Sequence, residues 1–187
     1  TNVSGTSDLA PLDQQAAMIQ EWCPEAKTVG LLYCSGEPNS QYQVDTVQEH
    51  LEELGYTCTQ YAFSDSNDMA AVTQTAADNS DVIYVPTDNT VASNASIVDN
   101  ICRPAKIPVF TGEQGICKGC GVATLSISYY DLGVTTGEMA VKVLRGEADI
   151  SQMPIEYAPQ FTKMYNQDIC DDLGLTPPEG YTALDAE

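Results

Sequence analysis

Residues 81–91 read Asp81-Val-Ile-Tyr-Val-Pro-Thr-Asp-Asn-Thr-Val91, and this stretch decides the fold. Val82 to Val85 form a short apolar run that ends abruptly at Pro86, after which Thr87, Asp88 and Asn89 arrive together. An unbroken apolar run of this length, bounded by a proline and turn formers, is the pattern of a strand buried on both faces. The polar triplet then falls where the strand hands over to a helix, and open α/β sheets gather their ligand contacts at that carboxyl edge. The segment predicts a binding lobe built on a parallel sheet.

The neighbouring segments repeat the pattern. Lys27-Thr-Val-Gly-Leu-Leu-Tyr33 is a second apolar run that breaks into Cys34-Ser-Gly-Glu-Pro-Asn-Ser40. Val44, Val47, Leu51 and Leu54 then recur at helical spacing until Gly55. Upstream, Leu12, Ala16, Ile19 and Trp22 mark an amphipathic helix entered at Pro11 and closed near Pro24. Residues 57–63 read as a strand, Ser64-Asp-Ser-Asn67 as the cap of a helix through Ala77, residues 90–102 as one helix, and Ile107–Phe110 as the next strand. Strands alternating with helices require crossover connections, which are right-handed and cover both faces of the sheet. The expected fold class is therefore α/β, a three-layer αβα arrangement with a mainly parallel sheet. Val122–Ile127 is expected to be a further strand, and Leu132, Met139, Val143 and Leu144 to mark a helix ending near Gly146.

Composition narrows the function. Seven Lys and Arg against 27 Asp and Glu give a formal net charge of −20, spread along the chain, so a phosphate backbone would be repelled and nucleic acid is excluded as a partner. No run of about 18 apolar residues is present to span a bilayer, and the opening Thr1-Asn-Val-Ser-Gly lacks the basic and apolar regions of a signal peptide. The seven cysteines cannot all pair internally. Cys23, Cys34, Cys58, Cys102 and Cys170 sit in apolar or helical surroundings as small hydrophobes. Cys117-Lys-Gly-Cys120 could form a tight disulfide, remain two idle thiols, or serve redox or metal chemistry; its glycines predict a turn. It lacks the second Cys pair of a four-Cys zinc site, and the single His50 lies in a helical pattern far along the chain.

The carboxyl ends of the expected strands carry Tyr33, Ser35, Glu37 and Asn39; Ser64 and Ser66; Thr87, Asp88 and Asn89; and Glu113 with Gln114. This edge holds hydroxyls, amides and carboxylates but no histidine, lysine or arginine, so neither a Ser-His nor a Cys-His pair can be built on it. The inventory suits binding rather than catalysis, and it calls for no cofactor. No phosphate-binding glycine motif is present, since Gly112-Glu-Gln-Gly115 has the wrong spacing.

Val85-Pro-Thr-Asp-Asn-Thr-Val91, Ala105-Lys-Ile-Pro-Val-Phe110, Tyr129-Tyr-Asp-Leu-Gly133 and Thr136-Gly-Glu-Met-Ala140 together resemble the substrate-binding proteins of ABC transporters associated with tryptophan and tyrosine uptake. Val3-Ser-Gly-Thr-Ser-Asp8 also looks like that family, where it stands in mid-chain just after the first lobe. The likeness covers most of residues 1–175. It implies a periplasmic-binding-protein-like single lobe over residues 1–128, with residues 129–187 trailing as helix and strand segments that normally pack on an N-terminal lobe. In the full-length protein that lobe, a signal peptide and a lipid anchor would precede these residues.

The resemblance further implies an extracytoplasmic lipoprotein, a small-molecule ligand (an aromatic amino acid) held between two lobes, and the ABC permease as partner. For such a ligand, Asp88 or Glu113 could meet the ammonium group, with Thr87 and Ser35 as neutral acceptors and Tyr33 as an apolar wall. Each also has a plainer role: Asp88 as a helix cap, Glu113 as a loop acid, Tyr33 as strand-end packing. Ser7 and Asp8 would lie at one hinge crossing and Tyr129 at the other; Asp8 could instead cap the first helix. With their normal cover absent, residues 129–187 would fold back on their own lobe or form a homodimer. Two rival functions share the features: a ligand-sensing module of a receptor or regulator, and a thiol oxidoreductase using Cys117 and Cys120.

Overall fold

The computed structural model describes residues 2–158 and 160–184, and the chain divides into two compact units. The larger holds Pro11–Leu125 and Lys163–Glu187, the smaller Thr1–Ala10 and Ser126–Thr162. The elements begin with β1 (Thr6–Ser7), α1 (Leu12–Trp22), β2 (Thr28–Cys34), α2 (Pro38–Glu53), β3 (Thr57–Phe63), α3 (Ser66–Asn79) and β4 (Val82–Val85). There follow α4 (Asn89–Ala92), α5 (Ala95–Ala105), β5 (Val109–Thr111), α6 (Gln114–Cys120) and β6 (Ala123–Ile127). The last are α7 (Tyr129–Leu144), β7 (Glu156–Tyr157), β8 (Phe161–Tyr165), α8 (Gln167–Leu173) and β9 (Thr182–Ala183).

Seven strands form one sheet in the order β3-β2-β4-β5-β6-β8-β9. The pairs β2/β3, β2/β4, β4/β5, β5/β6 and β8/β9 are parallel, as the sequence predicts. In β2 and β4 alternate side chains enter opposite cores. Leu32, Cys34, Ile83 and Val85 join Phe63, Met69, Val98, Cys102, Ile116 and Cys120 beneath α3, α5 and α6. On the other face Tyr33 reaches Gln41 of α2, Tyr84 reaches Gln15 of α1, and Phe110 meets Trp22 edge-on at 6.3 Å. Helices on both faces of a parallel sheet complete the expected three layers.

One polar knot holds α1 to the sheet. Gln15 is fully buried, and its Nε2 donates to Gly112 O and Leu125 O, both at 3.1 Å. Its Oε1 accepts the Tyr84 hydroxyl at 2.6 Å. The loop after β5, strand β6 and the middle of β4 thus share one side chain, every polar atom of which is engaged. At the amino ends of the strands Asp81 does similar work: Oδ2 accepts Lys27 N at 2.8 Å and Thr28 N and Oγ1 at 2.9 Å.

The division drawn from sequence at residues 128 and 129 is revised. Strands β8 and β9 extend the main sheet, and α8 buries Ile169 and Cys170. Arg103 of α5 bridges Asp99 at 2.8 Å and Asp172 at 3.1 Å. Residues 163–184 therefore belong to the larger unit. Residues 126–162 form the smaller unit with the first ten residues. There β1 and β7 pair in parallel, Ala10, Ile127, Leu132 and Ala158 cluster, and Ser128 caps α7 by accepting Asp131 N at 3.1 Å.

Two further expectations are corrected. Residues 114–120 form α6 rather than a turn, because Glu113 caps the segment and Ile116, Cys117 and Cys120 give it a buried face. The helix read over residues 90–102 is two, broken at Ser93–Asn94, with Asn94 Nδ2 donating back to Thr90 O at 2.8 Å.

Gln15→Leu keeps the volume but strands two carbonyls and a hydroxyl in the interior. Urea unfolding is expected to show a loss of about 3 kcal/mol, with far-UV circular dichroism unchanged.

Candidate ligand-binding rim

Parallel strands in register all leave the sheet at one edge. The loops after β2, β3, β4 and β5, each beginning on its neighbour's flank, form a single rim on the larger unit. Ser35, Asp88 and Glu113 stand on it together. Gly112 permits a close approach of the loops after β4 and β5, since a methyl group there would lie 2.7 Å from Thr87 N and 2.9 Å from Pro86 C, backbone atoms that cannot step aside.

The rim's carboxylates are engaged by backbone N–H groups. Asp88 is 1% exposed; its Oδ1 accepts Val91 N at 2.9 Å and its Oδ2 accepts Cys34 N at 2.8 Å. The expectation that Asp88 meets a ligand's ammonium group is therefore corrected: it caps α4 and ties the end of β2 to it. Glu113 caps α6 through Gly115 N at 2.7 Å and Ile116 N. Asp65 and Asp68 form a reciprocal capping box on α3.

Glu37 crosses between loops. Its Oε2 accepts Asn89 N and Nδ2 at 3.0 and 2.9 Å, and its Oε1 accepts Thr90 N and Oγ1 at 2.9 and 2.8 Å. Partial burial pulls its pKa up, but these four bonds together outweigh burial and hold it below the ordinary value of 4.5.

The remaining rim residues are neutral. Ser35 is exposed, its N and Oγ both donating to Phe63 O at 2.9 and 3.1 Å. Asn39, also exposed, donates through Nδ2 to Thr87 O at 3.0 Å. Thr87 is half-buried, its N donating to Gln43 Oε1 at 3.1 Å, and Asn89 is exposed. Tyr33 does not provide the expected apolar wall. It is 4% exposed and points back along the sheet, its hydroxyl 2.7 Å from Gln41 Oε1 and 2.9 Å from Gln60 Oε1.

Ser7, Asp8 and Tyr129 belong to the smaller unit. Ser7 Oγ accepts Leu9 N at 3.3 Å, Asp8 is exposed, and Tyr129 opens α7 with its ring half exposed. Asp8 does not cap α1, whose N-cap is Pro11 with no side-chain bond. The sequence places Glu37 on this edge but gives it no role there, and it leaves Thr90 in the helix that follows. A Glu before Pro38 reads as an ordinary helix entry, and its partners lie 52 and 53 residues away.

Cys117 and Cys120 are free, buried thiols; of the alternatives the sequence left open, the candidate disulfide is not formed. Helix geometry explains it: each sulfur turns to a carbonyl four residues away, Cys117 Sγ to Gly121 O and Cys120 Sγ to Ile116 O. Burial pushes both thiols well above the ordinary value, and raises Cys102 to about 12 and Cys23, Cys58 and Cys170 to about 11. Thiolate nucleophiles need the opposite shift. Among the described residues no three His, Cys, Asp or Glu side chains are grouped to hold a metal ion.

A doubly wound α/β unit with a hydrogen-bonded polar rim at the carboxyl edge of its strands is a periplasmic-binding-protein-like lobe. A profile of ABC transporter substrate binding proteins matches residues 1–186, and the chain belongs to that family. It is 31% identical over 174 residues to a tyrosine-binding protein of Clostridioides difficile, covering 93% of this chain and 50% of that protein. It is 33% identical to the ABC domain from Streptococcus pneumonia solved in complex with L-Trp, at a TM-score of 0.88, covering 97% of this chain and 64% of that one. The ligand-free, open structure of a substrate binding protein with adhesive properties from Clostridium difficile is 37% identical at a TM-score of 0.81, covering all of this chain and 64% of that one. The chain thus spans about half to two thirds of the length of these relatives. Proteins of this family are extracytoplasmic, and these relatives are substrate-binding proteins, not enzymes.

Two measurements check the site chemistry. Glu37 and Asp81 both have folded-state pKa values depressed below 4.5 and 3.8, Asp81 chiefly by the Lys27 N–H. Their stabilisation is intact above those ordinary values and is lost as pH falls through the lower folded-state ones. Thermal melts below pH 4.5 should therefore fall less steeply in Glu37→Gln and Asp81→Asn than in the unaltered protein. Titration with a thiol reagent should be slow in the native state and reach all seven cysteines only after denaturation; rapid native labelling of Cys117 or Cys120 would revive the oxidoreductase reading.

Proposed function

We propose that the rim of the larger unit is one jaw of a clamp for a small zwitterionic solute, an aromatic amino acid, which the protein hands to an ABC permease. The observation that carries this reading is the use of the rim's carboxylates: Asp65, Asp88 and Glu113 cap helices and Glu37 binds Asn89 and Thr90. What faces outward is then a fixed array of hydroxyls and amides in an acidic field. Such a surface favours the ammonium end of a ligand. On α3, α4 and α6 these caps occupy N–H groups that could have held an anion, and α2 alone of the rim helices starts without a side-chain cap, so the ligand's carboxylate draws most of its partners from a second lobe. Closure of two lobes on such a ligand would present a new surface to the permease.

The tyrosine-binding relative and the L-Trp complex support an aromatic ligand. The family resemblance supports a lipid anchor in the full-length protein. Pairing of two copies through residues 129–187 is a further part of the proposal, supported by exposed Val134, Val141 and Leu144 on α7.

Calorimetry with L-tryptophan, L-tyrosine and L-phenylalanine tests the clamp. Binding by this chain joined to an N-terminal lobe should be tighter than by the 187-residue chain alone by at least about tenfold, because half the contacts are lost. Equally tight binding by the single chain overturns the split clamp, and no binding of any of the three overturns the aromatic amino acid.

A further inference from the structure

We infer that Glu37 is a positioning residue for ligand binding: it holds Asn89 and Thr90 in the geometry in which the rim meets its solute. This rests on the clamp reading above and adds the residue on which the rim's shape turns.

The loop from Pro86 to Thr90 carries the outward groups of β4 and α4, and its first half is fastened to the loop and helix after β2. Thr87 O accepts Asn39 Nδ2 at 3.0 Å and Ser40 Oγ at 3.3 Å, Thr87 N donates to Gln43 Oε1 at 3.1 Å, and Asp88 Oδ2 accepts Cys34 N at 2.8 Å. Asn89, exposed, and Thr90, half-buried, are the next two residues and open α4. Glu37 takes both: one oxygen receives the backbone and side-chain donors of Asn89, the other those of Thr90. Because Nδ2 is the end of the amide that Glu37 holds, the carbonyl oxygen is the end left for another donor. An amide oxygen is an acceptor suited to an ammonium donor. Glu37 thus acts on the ligand through Asn89 and Thr90 without touching it.

Glu37→Gln tests this, because an amide offers one acceptor oxygen and must aim its NH₂ at a pair of donors. Asp81→Asn is the control, since Asp81 holds Lys27 and Thr28 at the opposite ends of the same strands with a comparable set of bonds. Calorimetry with L-tryptophan and L-tyrosine on the two-lobed protein should show Glu37→Gln weakened by at least about tenfold. Asp81→Asn, compared at a matched loss of melting temperature, should stay within about twofold of the unaltered protein. Thr90→Val, which removes a single hydroxyl donor, should fold normally, weaken binding part-way, and add less than its own effect to Glu37→Gln. It decides the matter if Glu37→Gln fails to fold. Equal losses in Glu37→Gln and Asp81→Asn, or unchanged affinity in Thr90→Val, would overturn the positioning role while leaving the clamp standing. An unaltered two-lobed protein that binds neither amino acid would overturn both.

Discussion

The rim depends on how Asp88 is buried. Neighbouring parallel strands are joined by crossovers rather than hairpins, so nothing in the backbone ladder ties the loop after one strand to the loop after the next. Here a carboxylate with almost no exposure accepts one N–H from the last residue of β2 and another from the first turn of α4. A buried charge is tolerable only when its oxygens are met by donors, and both are. The same two bonds set the spacing of Ser35, Asn39, Thr87 and Asn89. Gly112 then lets the loop after β5 close against Pro86 and Thr87, while Gln15 holds that loop's carbonyl from beneath.

The smaller unit is organised on a different principle. Its two-stranded parallel sheet offers few ladder bonds, so α7 and short side-chain contacts carry more of the load, among them Thr6 Oγ1 with Thr136 Oγ1 at 2.7 Å. Leu132 and Met139 are covered, whereas Leu144 is 85% exposed. Apolar side chains of Met139, Val143, Ile150 and Met153 line a groove of about 320 Å³ beside it. A helix with so much apolar surface in water is stable chiefly through what packs on it.

What could be read from the sequence follows from how local each signal is. Strands β2 and β4 were legible because continuous apolar runs have few other uses, and the crossover rule then made the sheet parallel. The position of the rim followed at once. Helix α6 was not legible, since three glycines in and around Gln114–Cys120 outvoted the cap supplied by Glu113. Strand β8 and helix α8 were missed because Phe161 and Thr162 are exposed and only Ile169 and Cys170 mark the helix's buried side. At Asp88 a ligand carboxylate and a cap have the same sequence pattern, and burial alone separates them. Glu37's place on the edge was legible, but its role was not, because its partners lie more than fifty positions away.

The acidity of the chain also acquires a structural sense at this edge. Each helix start on the rim is a partial positive charge that a ligand's anion could neutralise, and such sites are common in α/β proteins. In this unit Asp65, Asp88 and Glu113 have taken that place from within the chain. The exchange has two consequences. It ties three of the rim's helix starts with hydrogen bonds from within the chain. It also leaves three of the rim's helix starts less open to an outside carboxylate, while α2 keeps a start without a side-chain cap.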